Sequence, residues 1–288
     1  MKQKIFHSRK FMNTDIDITV IQDGQSTIEI QESIENAYGE FDRIVKKFTR
    51  FNEDSELSNL NRQSGKWVKV SEELVFLVEY MLNMSKKTDG AFDPTIIDFL
   101  EVYGYDKNYD FSKLENPKLD KLVADIAKKK RSWKDIEVDK KENKIKLVEG
   151  QRIDLGGIGK GYAIDLAFDH LKKTSDNFLI NAGGDIRSNG KNNEDKFWVV
   201  ELKTPDGSAG QLELKNMSLS SSGSWARKVK QFHHLIDPRL GKPAEKNYST
   251  VFVLGETSIQ TDTWATALFI LGQETKASLG DGVTAVFF

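Results

Sequence analysis

The hydrophobic period changes along this chain, and that change does most to confine the fold it can adopt. Phe11 to Ile21 alternates as an opening strand does, and Thr27 to Phe48 then carries Ile34, Ala37, Phe41, Ile44, Val45 and Phe48 at helical spacing. Ser71 precedes Glu72, Glu73 and an apolar-periodic stretch through Leu82, the pattern of a capped helix start with acids in its first turn, and Gly90 is a natural stop. From Phe178 onward the runs are short and β-rich (FLINA, FWVVELK, QLELK, MSLSS, TVFVLG), broken by SNGKNNED, PDGSAG and DPRLGK. A last helix spans Ile259 to Leu271, with Leu268 and Leu271 on its buried side, and stops at Gly272. Helices first and strands later, with no Pro/Gly-rich linker between them, predict an α+β fold: a mixed or antiparallel sheet flanked by helices.

The segment from Tyr109 to Lys146 is rich in Lys, Asp, Glu and Asn. It reads as a peripheral excursion of a single domain over residues 1–288, with a short helix near Pro117 to Lys130 and a hairpin at KKEN. Within it, Lys128, Lys129, Lys130 and Arg131 read as a solvated helix end. A formal net charge of −2 provides no basic field for nucleic acid or an anionic membrane, so any phosphate recognition must be local. The absence of cysteine excludes disulfides, zinc–thiolate sites, iron–sulfur clusters and a thiol nucleophile. No apolar run reaches the ~20 residues of a membrane span, and the first residues lack the apolar region of a signal peptide. As written the chain reads as soluble, with a cytoplasmic address as the default and an extracytoplasmic one if an export signal has been removed.

Chemistry concentrates in Asp154-Leu-Gly-Gly-Ile-Gly-Lys-Gly-Tyr-Ala-Ile-Asp165. Gly156, Gly157, Gly159 and Gly161 permit positive φ or close approach of a ligand, the amides of the following helix are partially positive, and Lys160 adds a full charge. The run lacks the GxxxxGK[ST] spacing of a P-loop, and a plain strand-to-helix turn with a solvated Lys160 fits it too. Asp262 and Thr266, at i and i+4, share one helix face and suit a hard cation such as Mg²⁺ that shares its shell with substrate phosphate. The same pair also fits an early-turn acid and a backbone-bonded core hydroxyl. His233 and His234 lie on a loop beside Asp237, where one imidazole could serve as a base and either could be a buried, hydrogen-bonded side chain. Asn181 to Asp185 and Ser220 to Gly223 end strands in small or polar residues, and GAFDPTI presents Asp93 and Thr95 around Pro94.

Taken together, MNT at Met12, SELSNLN from Ser55, GAFDPT from Gly90, DLGGIGKGYAID, NAGGDI, SSG, HLIDPRLGKP and DTWATALFILG occur in the order and spacing of one family. From about Met12 to Gly272 the chain resembles the ApbE-type FAD:protein FMN transferases, or flavin transferases. That resemblance implies an ApbE-like, T-fold-like architecture and transfer of the FMN half of FAD to a Ser or Thr hydroxyl of a target protein, with AMP released. The implied acceptor is a subunit of a redox-driven pump or electron-transfer complex. The implied metal, Mg²⁺ with Mn²⁺ as a substitute, falls to the carbonyl of Gly157 and the side chains of Asp262 and Thr266. The implied FAD contacts are Met12, Phe51, Phe92, Asp93, Thr95, Asp154, Lys160 and Ile236, and His234 is the candidate base.

Gly159, Ser221 and Leu235 depart mildly from the family pattern, where alanine, threonine and isoleucine are common. Phe51 replaces a frequent tyrosine, keeping a stacking surface without the hydroxyl. Two other functions stay compatible with these motifs: an FAD pyrophosphatase giving free FMN and AMP, and an FAD-binding protein without turnover. Asp165 has no chemical role in this reading.

Overall fold

The structure, a computed structural model, describes residues 2–278 and 282–288. In chain order its elements are β1 (Gln3–Phe11), β2 (Thr14–Gln22), α1 (Thr27–Phe48), α2 (Glu56–Arg62), β3 (Trp67–Lys69), α3 (Glu72–Lys87), α4 (Ile97–Val102), α5 (Leu119–Lys129), β4 (Glu137–Asp139), β5 (Lys144–Lys146) and α6 (Gly159–Lys172). They continue as β6 (Phe178–Ala182), β7 (Asp185–Asn189), β8 (Trp198–Thr204), β9 (Gly207–Leu214), β10 (Ser218–Gly223), β11 (Ile236–Asp237), β12 (Lys242–Pro243), β13 (Thr250–Gly255), α7 (Ser258–Leu271) and β14 (Thr284–Phe287).

The expected α+β class is what forms. Seven strands in the order β1-β2-β6-β7-β10-β13-β14 make one sheet, every neighbouring pair antiparallel. One sheet face packs on α1, α6 and α7 through Ile16, Ile18, Ile34, Phe41, Ala163, Phe178 and Leu268, all fully buried. The opposite face carries the separate β8–β9 hairpin, whose Trp198, Val200 and Leu214 pack on Ile186, Leu219 and Phe252. The two-residue alternation of β10 divides its side chains accordingly. Ser218 and Ser220 turn to hydroxyls of α7, and Leu219 turns to the hairpin.

Local chemistry explains the helix boundaries. Ser71 Oγ accepts from Leu74 N–H at the start of α3, and the chain leaves that helix through Thr88 and Gly90, whose φ is +76°. Thr27–Phe48 is one helix over the predicted span.

Four expectations need correction. The opening strand is a hairpin of two, turning at Met12 and Asn13, whose φ values of 52° and 60° suit a two-residue turn. β1 escapes a periodicity search because it is a sheet edge with most of its side chains in solvent. The charged segment is not peripheral throughout. β4 and β5 form a three-stranded sheet with β3, and Ile136 and Ile145 enter the main core. Lys130 is no solvated helix end, for its ammonium pairs with the buried Asp93 carboxylate at 2.5 Å. Finally, α7 is buried on almost every side rather than on one, Trp264, Phe269 and Ile270 included, because α6 and strands β10 and β13 enclose it. Among the described residues no helix is long and apolar enough to cross a membrane.

Candidate functional site

A cleft of about 1130 Å³ opens along the carboxyl-terminal end of β10, the amino-terminal end of α6 and the loops around Phe51, Phe92 and His234. It is larger than the ~300–1,000 Å³ typical of small-ligand pockets and suits an extended ligand. Asp262 and Thr266 line it from α7, and Gly157 and Lys160 line it from the opening of α6. Gly161 N–H donates to Asp262 Oδ2 at 2.9 Å, which holds the carboxylate of α7 against the first turn of α6.

The glycines of this run act by close approach and not by left-handed backbone, since none of the four has positive φ. A Cβ on Gly161 would lie 2.3 Å from Ser258 O, and one on Gly157 would lie 3.0 Å from Phe92 Cε2. The first glycine lets two helices meet, and the second seats a backbone unit against an aromatic wall.

Charge in the cleft is balanced by buried partners. Lys160 pairs with Asp185, which is almost fully buried and also accepts from Ser221 N–H. Burial pushes the Lys160 ammonium below the usual lysine range, opposed by Asp262 and reinforced by Arg227. Burial likewise raises the Asp262 carboxyl, opposed by Lys160 and the Gly161 amide. Asp154, raised by burial, pairs with Arg50 Nε at 3.3 Å and accepts from Gly156 N–H at 3.2 Å.

The two adjacent histidines separate. His233 turns into the core, edge-on to Phe269, and its Nδ1 accepts from Leu235 N–H at 3.3 Å. His234, half-buried, lines the cleft. Burial, followed by the charge of Arg227, His233 and Lys160, pushes its pKa down to about 3. The ring is therefore neutral, and its Nδ1 is buried without a hydrogen-bond partner among the described residues. Neither imidazole engages Asp237, whose carboxylate is held by Arg239 at 2.7 Å and 2.8 Å.

Met12, Phe51, Phe92, Asp93, Asp154 and Ile236 also reach the cleft. Met12 does so from the β1–β2 turn. Phe51 presents an aromatic face beside Tyr109, with the Arg50 guanidinium 4.2 Å from its ring centre. Thr95 is the exception among the expected contacts. It is buried outside the cleft lining, its N–H and Oγ1 each 2.7 Å from Asp93 Oδ1, where it orients Asp93. Sequence reasoning passed over Arg227, Tyr109 and Trp225, which line the cleft from loops without period or motif.

Asp262, Thr266 and the Gly157 backbone share the cleft wall and could together hold a hard cation. Among the described residues no three His, Cys, Asp or Glu side chains come together to cage a metal. One carboxylate, one hydroxyl and one backbone carbonyl are too few to saturate such an ion, and they suit Mg²⁺ or Mn²⁺ whose shell is completed by water and phosphate oxygens.

Residues 12–287 match the family model described as the ApbE family. The chain belongs to the ApbE family. It is similar to the ApbE protein of Thermotoga maritima, whose crystal structure superposes with a TM-score of 0.84 at 28% identity over 93% of this chain and 87% of that one. The FAD:protein FMN transferase of Haemophilus influenzae is 26% identical over 93% of this chain and 80% of that relative. The flavinyl transferase ApbE of Pseudomonas stutzeri, at 20% identity and a TM-score of 0.83, shares the fold over 99% of this chain and 94% of its own. The α6 opening, the α7 carboxylate and the His234 loop converge on one cleft.

Proposed function

We propose that this chain transfers the FMN half of FAD to a serine or threonine hydroxyl of an acceptor protein and releases AMP. The observation that carries the reading is the convergence of Asp262, Thr266, Gly157, Lys160 and His234 on one large cleft that Phe51 and Phe92 also line. Relatives named FAD:protein FMN transferase support it. The acceptor in this reading is a subunit of a redox-driven pump or electron-transfer complex.

In this mechanism the acceptor oxygen attacks the FMN-side phosphorus of the pyrophosphate, the bond from that phosphorus to the bridging oxygen breaks, and AMP departs with the bridging oxygen. His234 takes the hydroxyl proton. A divalent cation held by Asp262, Thr266 and the Gly157 carbonyl would supply charge neutralisation at the pyrophosphate oxygens. Lys160 places its positive charge beside the same oxygens, where a shielded site strengthens its effect. Phe51 and Phe92 offer faces for the flat rings at the ends of the dinucleotide, Asp93 and Asp154 accept hydrogen bonds from it, and Met12 and Ile236 close the apolar wall. Fixing both ends of a long substrate aligns the scissile phosphorus with the acceptor oxygen.

The test is incubation of the chain with FAD, Mg²⁺ and a threonine-bearing acceptor, followed by mass measurement of every product. An acceptor carrying FMN with AMP in equal amount is the expected result. Free FMN with AMP and an unmodified acceptor would move the reading to a pyrophosphatase, and bound FAD with no AMP would reduce it to a binding protein.

A further inference from the structure

Asp165 ends the glycine-rich run, and its carboxylate points at the neighbouring helix. Oδ1 accepts from Ser258 N–H at 2.8 Å and Oδ2 from Ile259 N–H at 2.9 Å, while Arg187 donates to Oδ1 at 2.6 Å. The Arg187 guanidinium is itself fixed, 3.7 Å from the centre of the Phe168 ring.

A helix leaves its first amides without intrahelical acceptors, and α7 cannot give them to water because it is enclosed. Its own cap, Thr257, makes no side-chain cap bond. A carboxylate from another helix therefore does the capping, and it sits at the positive end of the α7 dipole.

The position of that cap has a geometric consequence. Along α6, Gly161 and Asp165 are one turn apart on one face. Along α7, Ser258 and Ile259 stand one turn before Asp262. The Gly161 amide holds Asp262 and Asp165 holds the start of the same helix, so two contacts a turn apart on both partners fix the axial position and the rotation of α7. A slip of one residue would shift α7 by about 1.5 Å and turn it by roughly 100°, carrying Asp262 and Thr266 off the face that lines the cleft.

We propose that Asp165 is a positioning residue for the cation site, setting the register of α7 so that Asp262 and Thr266 face the cleft beside the Gly157 carbonyl in the turn before α6. The inference rests on the metal part of the proposed function. It differs from a general role in stability, because it ties one buried carboxylate to metal affinity and not only to folding.

The experiment measures free Mn²⁺ by electron paramagnetic resonance over the full chain, with and without FAD, for the native protein and for Asp165→Asn. The amide keeps the size of the side chain, but its NH₂ must face one of the donors the carboxylate served, and Arg187 loses its counter-charge. The dissociation constant for Mn²⁺ rises about 10–100-fold, the range for losing a group that orients metal ligands. Val75→Ala, a buried position on α3, none of whose residues lines the cleft, serves as the control. It lowers the melting temperature and leaves the Mn²⁺ constant unchanged, as a purely structural effect must.

If Asp165→Asn does not fold, Asp165→Glu keeps the charge for Arg187 while its extra methylene displaces the start of α7, and the constant still rises several-fold. A folded variant whose constant stays within twofold of native overturns the proposal. A native chain that binds no Mn²⁺ even with FAD removes the metal reading and this inference with it.

Discussion

Replacing Gly161 with alanine tests the helix pair directly, because the same change has opposite signs at two glycines of this chain. At Gly161 the new Cβ would lie 2.3 Å from Ser258 O and 2.9 Å from Asp262 Cβ, where ordinary contact begins at 3.4 Å. Both neighbours belong to α7, one of them its backbone, so α6 and α7 must part by roughly 1 Å. Overpacking of that kind costs about 1–3 kcal/mol, and the better helix propensity of alanine returns about 1 kcal/mol. The net loss of up to about 2 kcal/mol lowers the melting temperature by up to roughly 3–4 °C for a chain of this size. Because the displaced element carries Asp262, the rate falls further than stability does, by about 10²-fold for a displacement near 1 Å. At Gly39, in the middle of α1, a Cβ meets nothing within 4 Å, so alanine there stabilises by about 1 kcal/mol and leaves the rate alone. The assays are thermal denaturation followed by circular dichroism and AMP release measured by chromatography. A folded Gly161→Ala protein that melts at or above the native temperature and releases AMP within threefold of the native rate would refute the reasoning.

Stability should also respond to acid through the two histidines. Both have folded-state pKa values below the ordinary 6.5, so below that pH the unfolded chain binds protons that the folded chain resists. Stability is present above pH 6.5 and is lost as the pH falls, for His234 down towards 3 at up to about 1.4 kcal/mol per pH unit, with His233 acting in the same direction. His234→Asn flattens a plot of melting temperature against pH over that window, and an unchanged slope would exclude His234 as a contributor. Arg227→Ala, which removes an exposed cation of the cleft, raises KM for FAD several-fold with little change in melting temperature; a fall in kcat alone would place its role in the chemical step. Thr95→Val deprives the buried Asp93 of a hydroxyl donor and destabilises by about 1–2 kcal/mol in denaturant titration, and a neutral result would mean that Lys130 and the Thr95 amide suffice.

What could be read from the chain followed the range of the forces involved. The α1 span, the Ser71 cap and the one-turn spacing of Asp262 and Thr266 depend on residues within a turn or two of each other, so period and capping chemistry reveal them. β1 was not legible, because an edge strand with one solvated face carries little alternation, and its turn depends on the backbone of Met12 and Asn13. Within GAFDPTI the local sequence presents Asp93 and Thr95 alike. Lys130, 37 residues away, engages Asp93, which lines the cleft, with Thr95 outside the lining.

The sequence by itself determined the fold class, the family and a set of site residues of which all but Thr95 line the cleft, since motifs and hydrophobic periods are local properties of a chain. Only the tertiary structure decided how those residues act on one another. Close approach of two helices explains Gly161, an interhelical cap explains Asp165, and enclosure by loops with no periodic signal brings in Arg227 and separates His234 from His233. Each of these joins segments far apart in the chain, where burial and hydrogen-bond satisfaction, and not spacing, choose the partner.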